Sequence, residues 1–253
     1  MKIEYELIKE HEKEFPVKEL IKIPGVLTGT RKSFGPNYFP KNVAEMKKQY
    51  SHPLTGEIIS FREPTTRESI FLAGCDFETF AKPEIFDPRW LQTGWVVRAS
   101  EGVYINPPKN SEGNPINDEK ILKLLLNGIK KSNGIYLVGT KVVPLEDSNL
   151  ILRDFAFVPH KTFEQGVQSS EDFARSGLAR GLEFSLDKTA PILKDISSKE
   201  NYQNGVNVFG WDSSTDPLVR LSELNSNGDQ LNVDGDDWND DGYGHAFGIL
   251  DEN

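Results

Sequence analysis

The clearest hydrophobic pattern in the chain is helical and lies at residues 118–131. Its apolar positions recur three and four residues apart, Asn117 stands where an N-cap is expected, and Gly134 lies beyond the end. A second helical pattern follows Ser169 or Ser170 and continues to about Phe184. Its apolar positions are Phe173, Ala174, Leu178, Ala179, Leu182 and Phe184. The pattern therefore predicts two helices.

Short apolar runs between turn residues predict β-strands over much of the remaining chain. The predicted strands are residues 58–61, 69–73, 94–98, 102–105, 135–138, 150–152 with a continuation at 155–158, 206–209, 218–221 and 246–250. Fifteen prolines and twenty-one glycines indicate many turns and irregular connections. The fold class predicted is α+β, with two helices, short antiparallel strands and long loops.

The pattern strengthens near Trp90, which suggests a boundary between two parts of the chain. Residues 1–90 are predicted to be an irregular N-terminal arm followed by a turn-rich region. Within it, residues 4–22 are predicted to form an exposed helix or arm that Pro16 interrupts, and no helix is predicted beyond Lys188. Residues 91–253 are predicted to form a second region, which contains both predicted helices and most of the predicted strands.

Composition and charge exclude several classes of protein. The chain has 253 residues, 29 basic and 39 acidic side chains, and a net charge of −10. Because the chain has no basic patch, binding to nucleic acid is not expected. No apolar run approaches the ~20 residues that span a bilayer, and the N-terminus lacks the apolar core of a signal peptide. The single cysteine, Cys75, excludes an internal disulfide and is interpreted as a small buried apolar residue.

Candidate catalytic groups are few, and none forms a convincing constellation. The four histidines are scattered without helical spacing, which argues against a zinc enzyme. The glycine-rich run at residues 25–33 has the wrong spacing for a phosphate-binding loop. Carboxylate pairs such as Asp76 and Glu78 arise by chance in a chain with 39 acids. The sequence therefore predicts a binding protein, not an enzyme.

The segment at residues 232–245 differs from the rest of the chain in composition. Twelve of its fourteen residues are Asn, Asp, Gly, His or Tyr, and from Leu221 onward there are nine acids and no Lys or Arg. This composition favours a loop or irregular turns. Trp238 and the apolar run at 246–250 argue against disorder, because both need a core on which to pack.

Three interpretations of this segment remain open, and the simplest is a solvated acidic loop. A calcium site is the second, because Asp237, Asn239, Asp241 and Gly242 fit the start of an EF-hand loop. Its twelfth position is Gly248 instead of glutamate, so only an irregular calcium site is possible, and no cofactor is expected to be required for folding. Residues 238–240 also spell the Trp-Asn-Asp signature of calcium-dependent lectins, but the companion Glu-Pro-Asn element is missing.

The third interpretation explains the composition. Asn, Asp, His, Tyr and Gly are connected by substitutions in the first two bases of an AAC or AAT codon, whereas tryptophan codons contain no adenine. In this respect the segment resembles the variable region of a diversity-generating retroelement target protein. Residues 95–105, 118–131 and 173–183 resemble the same family, so that the resemblance covers roughly residues 90–253. The family's ligand-binding domain has a C-type lectin fold. The resemblance implies that residues 91–253 form such a domain, with a variable region near residues 221–253, and that residues 1–90 serve attachment or oligomerisation.

The resemblance implies a hypervariable receptor-binding protein, such as a viral tail fibre or surface adhesin. Its location would be the virion surface, at a tail tip or fibre, or another displayed surface. Its partner would be an unknown protein or glycan on a host surface, with no membrane insertion. The alternatives are a calcium-dependent carbohydrate-binding module and an enzyme similar to the formylglycine-generating enzymes, which share the fold but use a cysteine pair.

The resemblance also implies a division between contact residues and packing residues in the C-terminal segment. Side chains predicted to be exposed on one face and to bind the ligand are Asp234, Asp236, Asp237, Asn239, Asp240, Asp241, Tyr243 and His245. Trp238, Phe247 and Ile249 are predicted to be buried beneath them, because a diversified surface needs a constant floor.

Overall fold

The computed structural model describes residues 4, 6–9, 19–52, 54–79, 90–144, 149–199, 202–237 and 242–251. Strands predominate, and the mixed α+β class predicted from the sequence is confirmed. The described helices are α1 (Phe39–Met46), α2 (Thr66–Thr79), α3 (Glu119–Leu125), α4 (Ser170–Arg175), α5 (Gly177–Leu182) and α6 (Pro191–Ser197). None of the helices in these ranges is both long and apolar enough to cross a membrane.

The strands are short, and most of them belong to two sheets. They are β1 (Glu6–Lys9), β2 (Glu19–Ile23), β3 (Leu27–Thr30), β4 (Tyr50–Ser51), β5 (Ile58–Ile59), β6 (Phe61–Arg62), β7 (Trp90–Arg98), β8 (Gly102–Ile105), β9 (Lys131–Ser132), β10 (Ile135–Val138), β11 (Lys141–Pro144), β12 (Asn149–Leu152), β13 (Phe155–Pro159), β14 (Gly166–Gln168), β15 (Val206–Phe209), β16 (Leu218–Asn227), β17 (Gln230–Asp237), β18 (Gly244–His245) and β19 (Ile249–Leu250).

The larger sheet has the order β14-β15-β17-β16-β7-β8-β13-β10-β9, and β18 pairs in parallel with the start of β7. Its main core lies against helices α2, α4, α5 and α6, whose contacts with one another and with the sheet are extensive. Trp211 and Cys75 are fully buried in this core. The interpretation of Cys75 as a small buried residue is therefore confirmed.

The smaller sheet has the order β1-β2-β3-β19-β6. Strand β19 comes from the C-terminal end of the chain and pairs with β3 and β6 from the N-terminal part. This sheet therefore draws strands from both sides of the boundary predicted near residue 90. The two remaining strand pairs, β4-β5 and β11-β12, are separate hairpin-like ladders.

The prediction of a helix or irregular arm over residues 4–22 is wrong for the residues that are described there. Strands β1 and β2 pair in an antiparallel register from Glu6 opposite Lys22 to Lys9 opposite Glu19. Leu20, Ile21 and Ile23 are buried in the cores. Burial of these side chains and pairing with two neighbouring strands outweigh the alternating charges from which a helix was predicted.

The strand predicted at residues 69–73 is also wrong, because these residues lie inside α2. A capping box starts this helix: Glu68 N–H donates to Thr65 Oγ1 at 3.3 Å, and Thr65 N–H donates to Glu68 Oε2 at 2.8 Å. Arg62 pairs with Glu68 at 2.6 Å and fixes the carboxylate. Two backbone donors at the helix start are satisfied in this way, so the apolar run continues as a helix.

The two predicted helices are present with different boundaries. Helix α3 is capped by Asp118, whose Oδ1 accepts from Lys120 N–H at 2.8 Å, and not by Asn117. The second helical pattern divides into α4 and α5 at Ser176, which is extended and caps α5 through a bond from Ala179 N–H at 3.1 Å. The strand predicted to continue from 150–152 into 155–158 also divides, because Asp154 has a φ of 47°.

Helix α6 was not predicted, and a buried carboxylate marks its start. Pro191 occupies the first turn, and Glu183 Oε1 accepts from Leu193 N–H at 2.6 Å. Burial raises the pKa of Glu183 to about 8, although the backbone donors of the helix oppose this shift. Glu183 thus satisfies an otherwise unpaired donor at the cost of placing an acid in the core.

The raised pKa of Glu183 makes a testable prediction for stability. An acid whose folded pKa exceeds its unfolded value stabilises the fold at low pH, and the contribution is lost as the pH rises towards about 8. The free energy of unfolding of the native chain should therefore fall relative to Glu183→Gln between about pH 5 and 8, with a slope of up to about 1.4 kcal/mol per pH unit. Urea titrations at several pH values measure the difference, and a difference that stays constant or grows with pH contradicts the assignment.

Candidate functional site

Strand β17 carries the first part of the predicted site, and the buried side chain of Trp211 packs against it and forms a hydrogen bond with it. Trp211 Nε1 donates to the Val233 carbonyl at 3.0 Å. Its ring lies so close to Gly235 that a Cβ there would be 2.4 Å from the indole. Strand β17 is also paired on both sides, in parallel with β15 and antiparallel with β16. The backbone at this position is therefore fixed by residues outside the segment of unusual composition.

Asp234 and Asp236 are brought together on β17. Asp234 Oδ1 accepts from Asp236 N–H at 2.8 Å, and burial raises the pKa of Asp234 above its usual value. Gly210 lies against both residues, because a Cβ at this position would be 2.6 Å from Asp234 Oδ1 and 2.6 Å from Asp236 Cβ. Both aspartates are half-buried, so the expectation that they are freely exposed is only partly met.

Asp236 is the centre of an ion cluster with two arginines of neighbouring strands. Arg98 Nη1 and Arg220 Nε both donate to Asp236 Oδ1, the latter at 2.9 Å. Arg98 is buried and also donates from Nε to the Asp212 carbonyl at 3.1 Å. The sequence prediction did not include either arginine. The signal for both was a cation inside an apolar strand run, since a buried cation needs an anionic partner.

Of the other predicted contact and packing residues, some lie among the described residues and some lie outside them. Asp237 is the last residue of β17, whereas Trp238, Asn239, Asp240 and Asp241 lie outside the described residues. Tyr243 is 76% exposed, in agreement with its prediction. Phe247 and Ile249 are fully buried, which confirms this part of the predicted floor.

The prediction that His245 is exposed is wrong. Only 6% of His245 is accessible, because β18 pairs with β7 and places the ring against Ser33, whose Oγ lies 3.3 Å from Nδ1. The preceding carbonyl, that of Gly244, accepts from Asn42 Nδ2 at 3.0 Å. His245 therefore belongs to the interior and does not contact a ligand at the surface.

An exposed apolar pair next to Asp234 was missed by the sequence prediction. Phe209 lies opposite Asp234 in the ladder of β15 and β17, and it is 58% exposed. Val167 on the edge strand β14 is 62% exposed and pairs with Asn207, whose amide donates to Asn232 Oδ1 at 2.9 Å. An exposed aromatic residue in a polar surface is a common binding anchor.

The described residues give no direct support for a metal site. Within these ranges, no group of three or more His, Cys, Asp or Glu side chains is placed to hold an ion. Asp234 and Asp236 approach each other, but Asp236 already has two arginine partners. The calcium motif that starts at Asp237 continues into residues 239–241, outside the described part of the chain.

The ion cluster makes a prediction for stability. Asp236→Ala leaves the buried Arg98 guanidinium without its carboxylate, and the expected loss is about 1–2 kcal/mol after allowance for the partly exposed aspartate. Asp187→Ala, which removes an exposed carboxylate with no ion pair among the described residues, is the matched control and should change stability by less than about 0.5 kcal/mol. Denaturant titrations measure both, and equal effects would show that the cluster contributes nothing.

The prediction about calcium is tested by thermal melts with calcium and with a chelator. A folded state that does not need the ion should keep its melting temperature within about 2 °C in both conditions. A rise of many degrees with calcium would instead identify a tight ion site in the C-terminal segment, since a bound ion stabilises the folded state by mass action.

No protein-family model, curated protein or solved structure matches this chain. The fold is therefore described directly by its strand order, its helix packing and its hydrophobic cores. The described residues form a mixed α+β structure with a ten-stranded sheet and a five-stranded sheet, joined by the C-terminal strands.

Proposed function

We propose that this chain is a ligand-binding protein whose C-terminal segment is a variable region diversified by a retroelement. In this proposal, residues 91–253 form a C-type lectin-like domain, and the protein is displayed on a virion surface as a tail fibre or adhesin. The ligand is a protein or glycan on a host surface. The observation that carries the proposal is the unusual composition of residues 232–245, in a segment that fixed strands hold at both ends.

The anchoring of the segment supports this proposal. At its start, Trp211 packs on Gly235, and Asp236 is held by two arginines. At its end, β18 pairs with β7, and Asn42 binds the Gly244 carbonyl. Binding residues are commonly placed on connections between rigid elements, where substitutions leave the core unchanged.

The arrangement of side chains narrows the proposed contact surface. Tyr243 and Phe209 supply exposed aromatic area, and aromatic residues contribute strongly to binding at interfaces. Asn239, Asp240 and Asp241 are proposed to supply adaptable polar contacts. Asp234 and Asp236 are half-buried and help to fix strand β17, so each offers little exposed surface to a ligand. His245 is buried and is not part of the proposed contact surface.

The charge of this end of the chain indicates the chemistry of the partner. Nine acids and no Lys or Arg lie from Leu221 onward. A partner with cationic or hydrogen-bonding groups is favoured, and the association rate is expected to fall as salt is added.

The nucleotide sequence around the gene gives the most direct test. A retroelement target requires a nearby near-repeat of the coding region for residues 232–245 that differs almost only at adenines, together with a reverse transcriptase gene. Finding both supports the proposal. If the locus has neither, diversification is ruled out, and ordinary selection on an acidic surface becomes the explanation of the composition.

The proposal also predicts unequal tolerance to substitution. A combined Asn239→Ser, Asp240→Asn, Asp241→Asn and Tyr243→Asn variant should lose less than about 1 kcal/mol, because surface changes are close to neutral. Phe247→Ala should lose about 3–5 kcal/mol, since it empties a fully buried site. Urea unfolding measures both. A combined variant as unstable as Phe247→Ala would show that the segment is structural and unsuited to diversification.

A further inference from the structure

A cleft of about 690 Å³ lies on a part of the molecule that the proposed variable segment does not reach. Its walls come from α1, from the turn between β6 and α2, from the segment after β8 and from β12. The volume is within the range of about 300–1,000 Å³ that small-molecule sites occupy. None of the described residues within 232–245 lines it, so a ligand here would be separate from one bound at that described part of the C-terminal segment.

The cleft is positively charged although the protein is acidic. Among the described residues, four cations and two carboxylates line it, whereas the whole chain has a net charge of −10. The cations are Lys47, Arg62, Lys109 and Arg153, and the carboxylates are Glu63 and Glu112. A concave surface with an excess of one charge concentrates ligands of the opposite charge.

Two of these cations are available to a ligand. Lys109 and Arg62 are each held by a glutamate. Lys47 and Arg153 are exposed, and neither has a carboxylate partner among the described residues. Glu112 also lines the cleft and has no cation partner among the described residues, so the unpaired charge of the cleft is two cations against one carboxylate. The two cations come from different walls, the end of α1 and the end of β12.

The same cleft presents apolar and amide surfaces. Trp95 lines it and is only partly buried, and its ring packs edge-on against Phe39 with 5.5 Å between the centroids. Ile151 adds an exposed apolar side chain, and the amide of Asn149 has no side-chain partner among the described residues. Aromatic and aliphatic faces contact the C–H face of a pyranose ring, and free amides bind its hydroxyl groups.

The wall that follows β8 is fixed before any ligand binds. Asn106 has a φ of 50°, its Oδ1 accepts from Thr66 N–H and Oγ1 at 3.0 Å, and its Nδ2 donates to the Asp154 carbonyl at 3.0 Å. Further along, Lys109 forms a β-bridge with Pro115. A preformed wall reduces the entropy lost on binding.

We propose that this cleft binds an acidic oligosaccharide, a pyranose chain that bears carboxylates. Lys47 and Arg153 bind the carboxylates, Trp95 and Ile151 contact the ring faces, and Asn149 binds a hydroxyl. A small inorganic anion would leave the apolar surface unused, and a neutral sugar would leave both cations unpaired. The combination of groups therefore selects a ligand that is both ring-shaped and anionic.

Calorimetric titration of the full chain with digalacturonate tests the proposal, and the methyl ester of the same disaccharide is the matched neutral ligand. Digalacturonate should bind saturably and the ester about tenfold more weakly or not at all. Lys47→Gln and Arg153→Gln should each weaken digalacturonate binding about tenfold, with an unchanged melting temperature. Lys48→Gln is the control, because Lys48 pairs with Glu45 at 2.5 Å and does not line the cleft.

Three results would overturn the proposal. The first is the absence of saturable digalacturonate binding up to about 10 mM, the range of very weak affinity. The second is equal binding by the native chain and by the two cleft variants, which would place the ligand elsewhere. The third is binding of inorganic phosphate as tight as that of the disaccharide, which would leave no role for Trp95. All three leave the proposed variable segment untouched, because the tested residues lie outside it.

Discussion

The pairing of residues 244–250 with both sheets is the constraint on which the rest of the structure depends. Strand β18 pairs with β7, Ala246 exchanges backbone hydrogen bonds of 2.7 and 2.9 Å with Phe34, and β19 lies between β3 and β6. Gly248 passes so close that a Cβ would be 2.7 Å from the Phe34 ring. A short C-terminal run therefore joins the two sheets, and the N-terminal strands become part of the support for the candidate site.

The elements that could be predicted from the sequence are those specified by local signals. Asp118 and Ser169 cap α3 and α4, because each side-chain oxygen accepts from a backbone N–H two or three residues further along the chain. The sequence located these helix starts to within one residue. The capping box of Thr65 and Glu68 was an equally local signal for α2, but the apolar run after it favoured a strand. Strands β1 and β2 pair with each other, and β2 pairs with β3, all within residues 6–30. Their partners are therefore near in sequence, but the alternating charges and Pro16 led to the prediction of a helix or arm.

The residues of the candidate site also divide into those whose environment the local sequence predicts and those whose environment depends on the whole fold. Burial of Phe247 and Ile249 follows from an apolar run that needs a core, and this was predictable. The partner of Asp236 is Arg98, 138 positions away, and His245 meets Ser33 across 212 positions. Composition identifies the segment as unusual. Whether a polar side chain in that segment is exposed to solvent depends on which residue, distant in sequence, the fold places next to it.

The distribution of paired and unpaired charge explains why two surfaces of this molecule are suited to binding. Where a charge is buried, as at Arg98, the fold supplies its counterion, and the pair fixes the backbone. Where charges have no partner among the described residues, as at Lys47 and Arg153, they remain available to an ionic ligand. The acidic C-terminal segment and the cationic cleft have opposite signs, so the two proposals assign them partners of opposite charge.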